Sequence, residues 1–164
     1  MIIAEILARN ARLYGEEEAL VEREPAKNLR RAITWKEFDD LANKVANALT
    51  AKGVKKGDKV IHLMMNCLEW LPAYFGILKT GAWAVPINFR FTADDIRYCA
   101  DIAEARAILF AEDCIERGDK IKKDLKGMKD FMFCGPKEMA PPYAQHWDDF
   151  LKGASTAVPK TPIS

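Results

Sequence analysis

An α/β domain on a doubly wound parallel sheet is what this 164-residue sequence predicts, and three observations predict it. Short apolar runs alternate with helical patterns along most of the chain. The helical patterns carry their own start and stop residues. With 49% apolar residues the chain can bury a sizeable core. Repeats of strand, helix and strand form right-handed crossovers on a parallel sheet, so the alternation itself points to the architecture.

The first strong element is "ITWKEFDDLANKVANALTAKGVKKGD", residues 33–58. Thr34 is placed to cap a helix, Glu37 to complete the capping box, and Gly53 to end it. Trp35, Phe38, Leu41, Ala42, Val45, Ala48 and Leu49 make one apolar stripe, with Lys36, Asp40, Lys44 and Asn47 outside it. Gly57 and Asp58 turn the chain into "KVIHLMM" (59–65), a continuous apolar run of the kind found in strands covered on both faces. "LEWLPAYFGILKT" (68–80) is apolar almost all round, so this helix is sandwiched in the core or faces a partner. Pro72 lacks a backbone donor, which places the start of the regular helix near it.

"AWAVPIN" follows as a strand with almost no spacer: Gly81 stops the helix, Pro86 takes the strand out of the sheet, and Thr92 caps what comes next. That next helix, "TADDIRYCADIAEA", has Asp95 as the capping partner of Thr92. "RAILFA" (106–111) reads as a strand, "CIERGDKIKKDLKGM" as a charged surface helix, and "DFMFCG" (130–135) as the last strand. The tail carries Pro141-Pro142, one short helix near Trp147 to Leu151, and a Ser/Thr/Pro run that is not expected to pack. The predicted division is therefore a domain over 1–153 and a linker over 154–164.

Composition excludes several functions. Lys+Arg 25 against Asp+Glu 24 gives a net charge of +1, so no overall field recruits nucleic acid or an anionic membrane. Glu5 and Arg9 interrupt the early apolar run, no cleavage site follows, and no run approaches the roughly 18 apolar residues of a membrane span, which makes a cytoplasmic location the expectation. Cys67, Cys99, Cys114 and Cys134 contain no CxxC pair, and His62 and His146 lie far apart, so four buried thiols and no metal site are expected.

Catalytic motifs are missing too. There is no GxGxxG, no GxSxG, and "G-I-L-K-T-G-A-W" lacks the Lys-Ser/Thr pair that a P-loop needs after its second glycine. Asp39-Asp40, Asp94-Asp95 and Asp148-Asp149 sit near helix starts or on helix surfaces, where macrodipole and solvation account for them. His62 lies mid-strand between Ile61 and Leu63 and reads as a buried structural histidine hydrogen-bonded once. No catalytic residue is assigned.

Two blocks carry a family resemblance. "ITWKEFDDLANKVANALTAKGVKKGDKV" and "NCLEWLPAYFGILKTGAWAVPINFRFT" occur in the order and spacing of the N-terminal region of the acyl-adenylate-forming superfamily, which includes acyl-CoA synthetases, peptide-synthetase adenylation domains and luciferases. Met65, where a proline is common before Asn66, and Pro72 depart from the pattern. "PINFRFT" is similar to the version seen in acyl-CoA and aryl-CoA ligases. The resemblance implies a flavodoxin-like N-terminal subdomain of an adenylate-forming enzyme, about the first third of a carboxylic acid:CoA ligase. Such a ligase uses ATP, Mg²⁺ and CoA to form an acyl-adenylate and then an acyl-CoA thioester. It further implies that the phosphate loop lies beyond "KTPIS", that the chain alone is catalytically silent, and that Arg90 pairs with a CoA phosphate. A second subdomain would cover the 68–80 helix, so a homodimer is expected to cover it here. The alternative is a stand-alone α/β binding or interaction module.

Overall fold

The computed structural model describes residues 2–161 and 163. A short N-terminal unit comes first. Helix α1 (Ile3–Leu13) precedes an antiparallel hairpin, β1 (Glu18–Glu24) with β2 (Leu29–Thr34), whose turn uses Asn28 in the left-handed region at φ 51°. The strand-helix repeats then follow: α2 (Trp35–Ala51), β3 (Lys59–Leu63), α3 (Trp70–Lys79), β4 (Trp83–Pro86), α4 (Ala93–Ala103), β5 (Ala107–Ala111), α5 (Ile115–Ile121), β6 (Asp130–Cys134), β7 (Gln145–His146) and α6 (Trp147–Leu151).

Both predicted capping boxes form. Thr34 Oγ1 accepts from the Glu37 amide at 3.2 Å and Glu37 Oε2 accepts from the Thr34 amide at 2.8 Å; Thr92 and Asp95 repeat the arrangement at 3.2 and 3.0 Å. Gly53 lies just past α2 at φ +82°, a conformation that costs glycine little. Pro72 sits in the first turn of α3, two residues after Trp70, where a missing amide proton has no helical acceptor to lose.

The large sheet is wholly parallel, in the order β4-β3-β5-β6-β7. Counted within that sheet this is the flavodoxin-like order 2-1-3-4-5, with its switch point between β3 and β5. Residue parity sorts the side chains. Val60, Leu109 and Met132 meet α2, α3 and α6 on one face, while Ile61, Leu63, Ile108, Phe110 and Phe133 meet α4 and α5 on the other. Pro86 is on the edge strand, where its missing donor faces no neighbour. A third cluster, around Leu7, Phe38 and Ala42, fastens α1 and the hairpin to the outer side of α2 and α3.

No residue from Trp70 to Thr80 is exposed, so α3 is sandwiched and the expectation that it loses cover is corrected. The large exposed apolar residues lie elsewhere, at Trp83, Tyr98 and Ile102 among others. Four further corrections concern extents and contacts. Strand β6 is not the last, because β7 pairs with it through Met132 and Phe133. Helix α5 ends at Ile121, and turns carry the chain on to Met128. Only Cys114 of the four thiols is buried. The Ser/Thr/Pro tail packs: Asn43 Nδ2 donates to the Thr156 carbonyl at 3.0 Å, and Asn47 Nδ2 to those of Ser155 and Ala157 at 2.8 and 2.9 Å. Amide side chains on α2 supply the partners that the tail's own sequence does not announce.

Candidate functional site

In a doubly wound sheet the strands on either side of the switch point send their connections to opposite faces, which opens a crevice at their carboxyl ends. Here that crevice is a cleft of about 780 Å³. Its floor is made by the residues that follow β3, β5 and β6, including Asn66, Glu112 and Gly135, and the hairpin forms the opposite wall. Gly135 permits close packing, since a Cβ there would lie 2.8 Å from the Phe133 ring.

Arg31 joins the two walls. Its Nη1 and Nη2 donate to the two oxygens of Glu69 at 2.7 and 3.0 Å, and its Nε donates to Glu22 at 2.7 Å. The hydrogen bond to Glu69 raises the guanidinium's pKa above its ordinary value, with Glu22 adding to the effect against the cost of partial burial. The hairpin is thereby tied to the start of α3 by a planar fork that lysine could not reproduce.

His146, at the far side of the floor, is fully engaged. Its Nδ1 accepts from the Asp148 amide at 3.2 Å, so the Nε2 that lies 2.9 Å from the Gly135 carbonyl is the one carrying the proton. That orientation caps α6 and leaves no ring lone pair for a ligand. His62 differs. It is buried against Trp70, with ring centroids 4.4 Å apart, and burial pushes its pKa down to about 4. The expected single hydrogen bond is corrected: neither ring nitrogen has a partner among the described residues. Aromatic packing fills the space that a partner would need.

Arg90 lies outside the cleft lining, exposed on the loop after β4. Its amide donates to Asn88 Oδ1 at 2.9 Å and its guanidinium stacks 4.7 Å from the Phe89 ring centroid. A residue that the motifs do not single out fixes this loop. Arg117, on α5, donates to the carbonyls of Phe89 and Phe91 and to that of Asp113, so it ties the Arg90 loop to the turn after β5.

The paired carboxylates separate into distinct roles. Asp95 caps α4, Asp149 pairs with Lys137 at 2.9 Å, and Asp39 accepts from the buried Lys79 at 2.6 Å. The fold also brings together three side chains that spacing along the chain did not pair. Sγ of Cys67, Sγ of Cys134 and a carboxylate oxygen of Glu69 all lie within 4.8 Å of one another. Spacing along the chain concealed this, but Cys67 and Cys134 each fall just after, or at the end of, an apolar strand, and parallel strands deliver such residues to one rim.

A flavodoxin-like sheet with an open cleft at its switch point, and two capped helices within the sequence blocks quoted above, are the features to set beside known proteins. The chain belongs to the AMP-binding enzyme family, which matches residues 7–152. It is 33% identical over 111 residues to the 3-hydroxybenzoate–CoA/4-hydroxybenzoate–CoA ligase of Thauera aromatica, covering 68% of this chain and 21% of that protein. It is 36% identical over 87 residues to the long-chain-fatty-acid–CoA ligase FadD13 of Mycobacterium tuberculosis, covering 53% of this chain and 17% of that one. Among solved structures, the anthranilate CoA ligase AuaEII in complex with anthranoyl-AMP superposes with a TM-score of 0.87 at 25% identity, covering 98% of this chain and 29% of the other. The N-terminal domain of FACL13 from Mycobacterium tuberculosis gives a TM-score of 0.79 at 26% identity, over 96% of this chain and 37% of that one. The chain thus spans about a fifth of the curated relatives it matches, 21% and 17% of their lengths. Among the described residues no helix is long and apolar enough to cross a membrane.

Proposed function

We propose that this chain is the N-terminal subdomain of an ATP-dependent carboxylic acid:CoA ligase, with the domain over 1–153 and the segment 154–164 leading to the phosphate-binding region. The match over 111 residues to a hydroxybenzoate–CoA ligase carries this reading. In the reaction the substrate carboxylate attacks the α-phosphorus of ATP and pyrophosphate leaves. The CoA thiol then attacks the acyl carbon and AMP leaves. The subdomain's part is to supply the sheet, the cleft and the pinned loop around which the reacting groups gather. Residues 67, 69 and 134 do not suit the Mg²⁺ that accompanies ATP, because that ion takes oxygen donors in octahedral geometry, so no step is routed through them.

Arg90 is the residue we assign to a CoA phosphate. Its support is exposure on a loop held by Arg117, with no carboxylate paired to it among the described residues. The location is cytoplasmic, and any homodimer forms through exposed apolar residues such as Trp83 rather than through α3.

The test extends the chain along its reading frame beyond the codon for Ser164. Pyrophosphate release with ATP, Mg²⁺ and a panel of fatty and aromatic acids stays at background for the 164-residue chain and appears in the extended one. In the extended enzyme Arg90→Ala raises the KM for CoA and leaves that for ATP unchanged. A stop codon directly after Ser164 would favour the stand-alone binding module instead, and sedimentation of the chain at high concentration decides the dimer.

A further inference from the structure

We propose that Cys67, Cys134 and Glu69 form a binding site for a thiophilic divalent cation of the Zn²⁺ type at the mouth of the cleft. Their three donor atoms already lie within 4.8 Å of one another. In a tetrahedral zinc site with Zn–S about 2.3 Å, neighbouring sulfurs lie about 3.8 Å apart, so side-chain rotations of about 1 Å close the group around an ion. Cys67 is only half-buried, which permits that movement on its side of the group. The three side chains also line the cleft, so an entry path and an open fourth position for water come with the geometry. Two sulfurs and one carboxylate suit Zn²⁺ and Co²⁺ and suit neither Mg²⁺ nor Ca²⁺.

Arg31 fits this reading. It donates one hydrogen bond to each oxygen of Glu69, at 2.7 and 3.0 Å, and a carboxylate oxygen so engaged keeps a second lone pair. The fork orients the carboxylate from behind, as outer partners of metal ligands do. Two thiolates, one carboxylate and a divalent ion leave a single negative charge, and the guanidinium sits against it. Binding forms two metal–sulfur bonds and sends the two thiol protons to solvent. Because binding displaces thiol protons, affinity rises with pH.

His146 does not complete the set, because both its ring nitrogens are engaged. Cys99 and Cys114 belong to other parts of the fold, Cys114 being buried in the α4–α5 face, and they serve as internal controls.

The test titrates Co²⁺ into the reduced 164-residue chain. One equivalent is expected to give intense near-ultraviolet sulfur-to-cobalt absorption with the visible bands of a tetrahedral site. Cys67→Ser and Cys134→Ser each abolish it, Glu69→Gln weakens binding about tenfold, and Cys99→Ser changes nothing. Far-UV circular dichroism verifies that each variant is folded. A second measurement needs no variant: Zn²⁺ is expected to protect residues 67 and 134 from alkylation while Cys99 still reacts. The proposal is overturned if the reduced chain gives no sulfur-to-cobalt absorption, or if the absorption survives in both serine variants. Protection falling on Cys99 or Cys114 would also overturn it, as would closure of a Cys67–Cys134 disulfide in place of metal binding.

Discussion

The seam between α2 and α3 and the carboxyl rim of the sheet both hold charged side chains, and they hold them in opposite ways. At the seam Lys79 is 4% exposed, with its Nζ 2.6 Å from Asp39 Oδ1 and 2.6 Å from Asn43 Oδ1. At the rim the Arg31 side chain is 42% exposed while it bridges Glu22 and Glu69. Water cannot replace a partner lost at the seam, whereas at the rim it can. Polar groups at the seam are consequently part of the scaffold, and those at the rim are free to exchange partners with a ligand.

The most severe break in this comparison should come from one methyl group. The backbones of α2 and α3 approach so closely at Gly76 that a Cβ there would run into Cβ and Cγ1 of Val45 and lie 3.0 Å from the Ala42 carbonyl oxygen. Gly76→Ala is expected to cost at least about 3 kcal/mol in urea unfolding, because helix backbone cannot yield as a side-chain tip does. Next comes Lys79→Met, which keeps the volume but strips Asp39 and Asn43 of their cation, for a loss of about 3 kcal/mol. Asn43 also holds Thr156, so this variant should loosen the 155–157 segment and admit a protease there.

How much of this could be read from sequence follows the same division. Thr34 with Glu37, and Thr92 with Asp95, were legible because a capping box is a local device, and the parallel sheet was legible because apolar runs and helices alternate. The hairpin was not: "EALVERE" and "LRRAIT" are half-exposed strands with charges on both faces, and the residues that Leu20 and Ile33 pack against, such as Phe38, lie outside the two strands. Lys79 reads as a polar interruption in an apolar helix until Asp39, one helix away, is brought beside it. Cys67 and Cys134 lie on either side of β5 and meet only once the sheet order is known. Arg117 carries no motif at all, since most of its partners are backbone carbonyls. The scaffold is encoded by neighbours in sequence and the cleft by neighbours in space.

His62 tests the seam side by titration. Its folded pKa of about 4 lies below the usual 6.5, because burial beside Trp70 disfavours the imidazolium. The unfolded chain therefore binds more protons between those values, and stability falls as pH drops from 6.5 toward 4, then levels off once the folded form also protonates. This group contributes up to about 3 kcal/mol to that slope. His62→Leu should remove its share and stabilise the acid side most, as followed by urea unfolding at pH 7 and pH 4.5. A wild-type NMR titration giving a value above the reference of about 6.5 would show that the ring has found a partner.

The smallest effect should belong to Arg31, despite its many contacts. Side chains this exposed lose much of their Coulomb energy to water and to the entropy of holding the fork, so Arg31→Ala should cost no more than about 1 kcal/mol in low salt. Near 1 M salt, where the screening length is about 3 Å, the loss should shrink further. Lys79→Met should keep its full cost there, since ions do not reach the seam. Unfolding curves for the two variants at both salt concentrations measure that difference directly. An Arg31→Ala loss above about 2 kcal/mol that ignored salt would mean that the hairpin depends on this one bridge. The rim would then be built like the seam, and the cleft would be a fixed wall instead of a surface ready to trade partners.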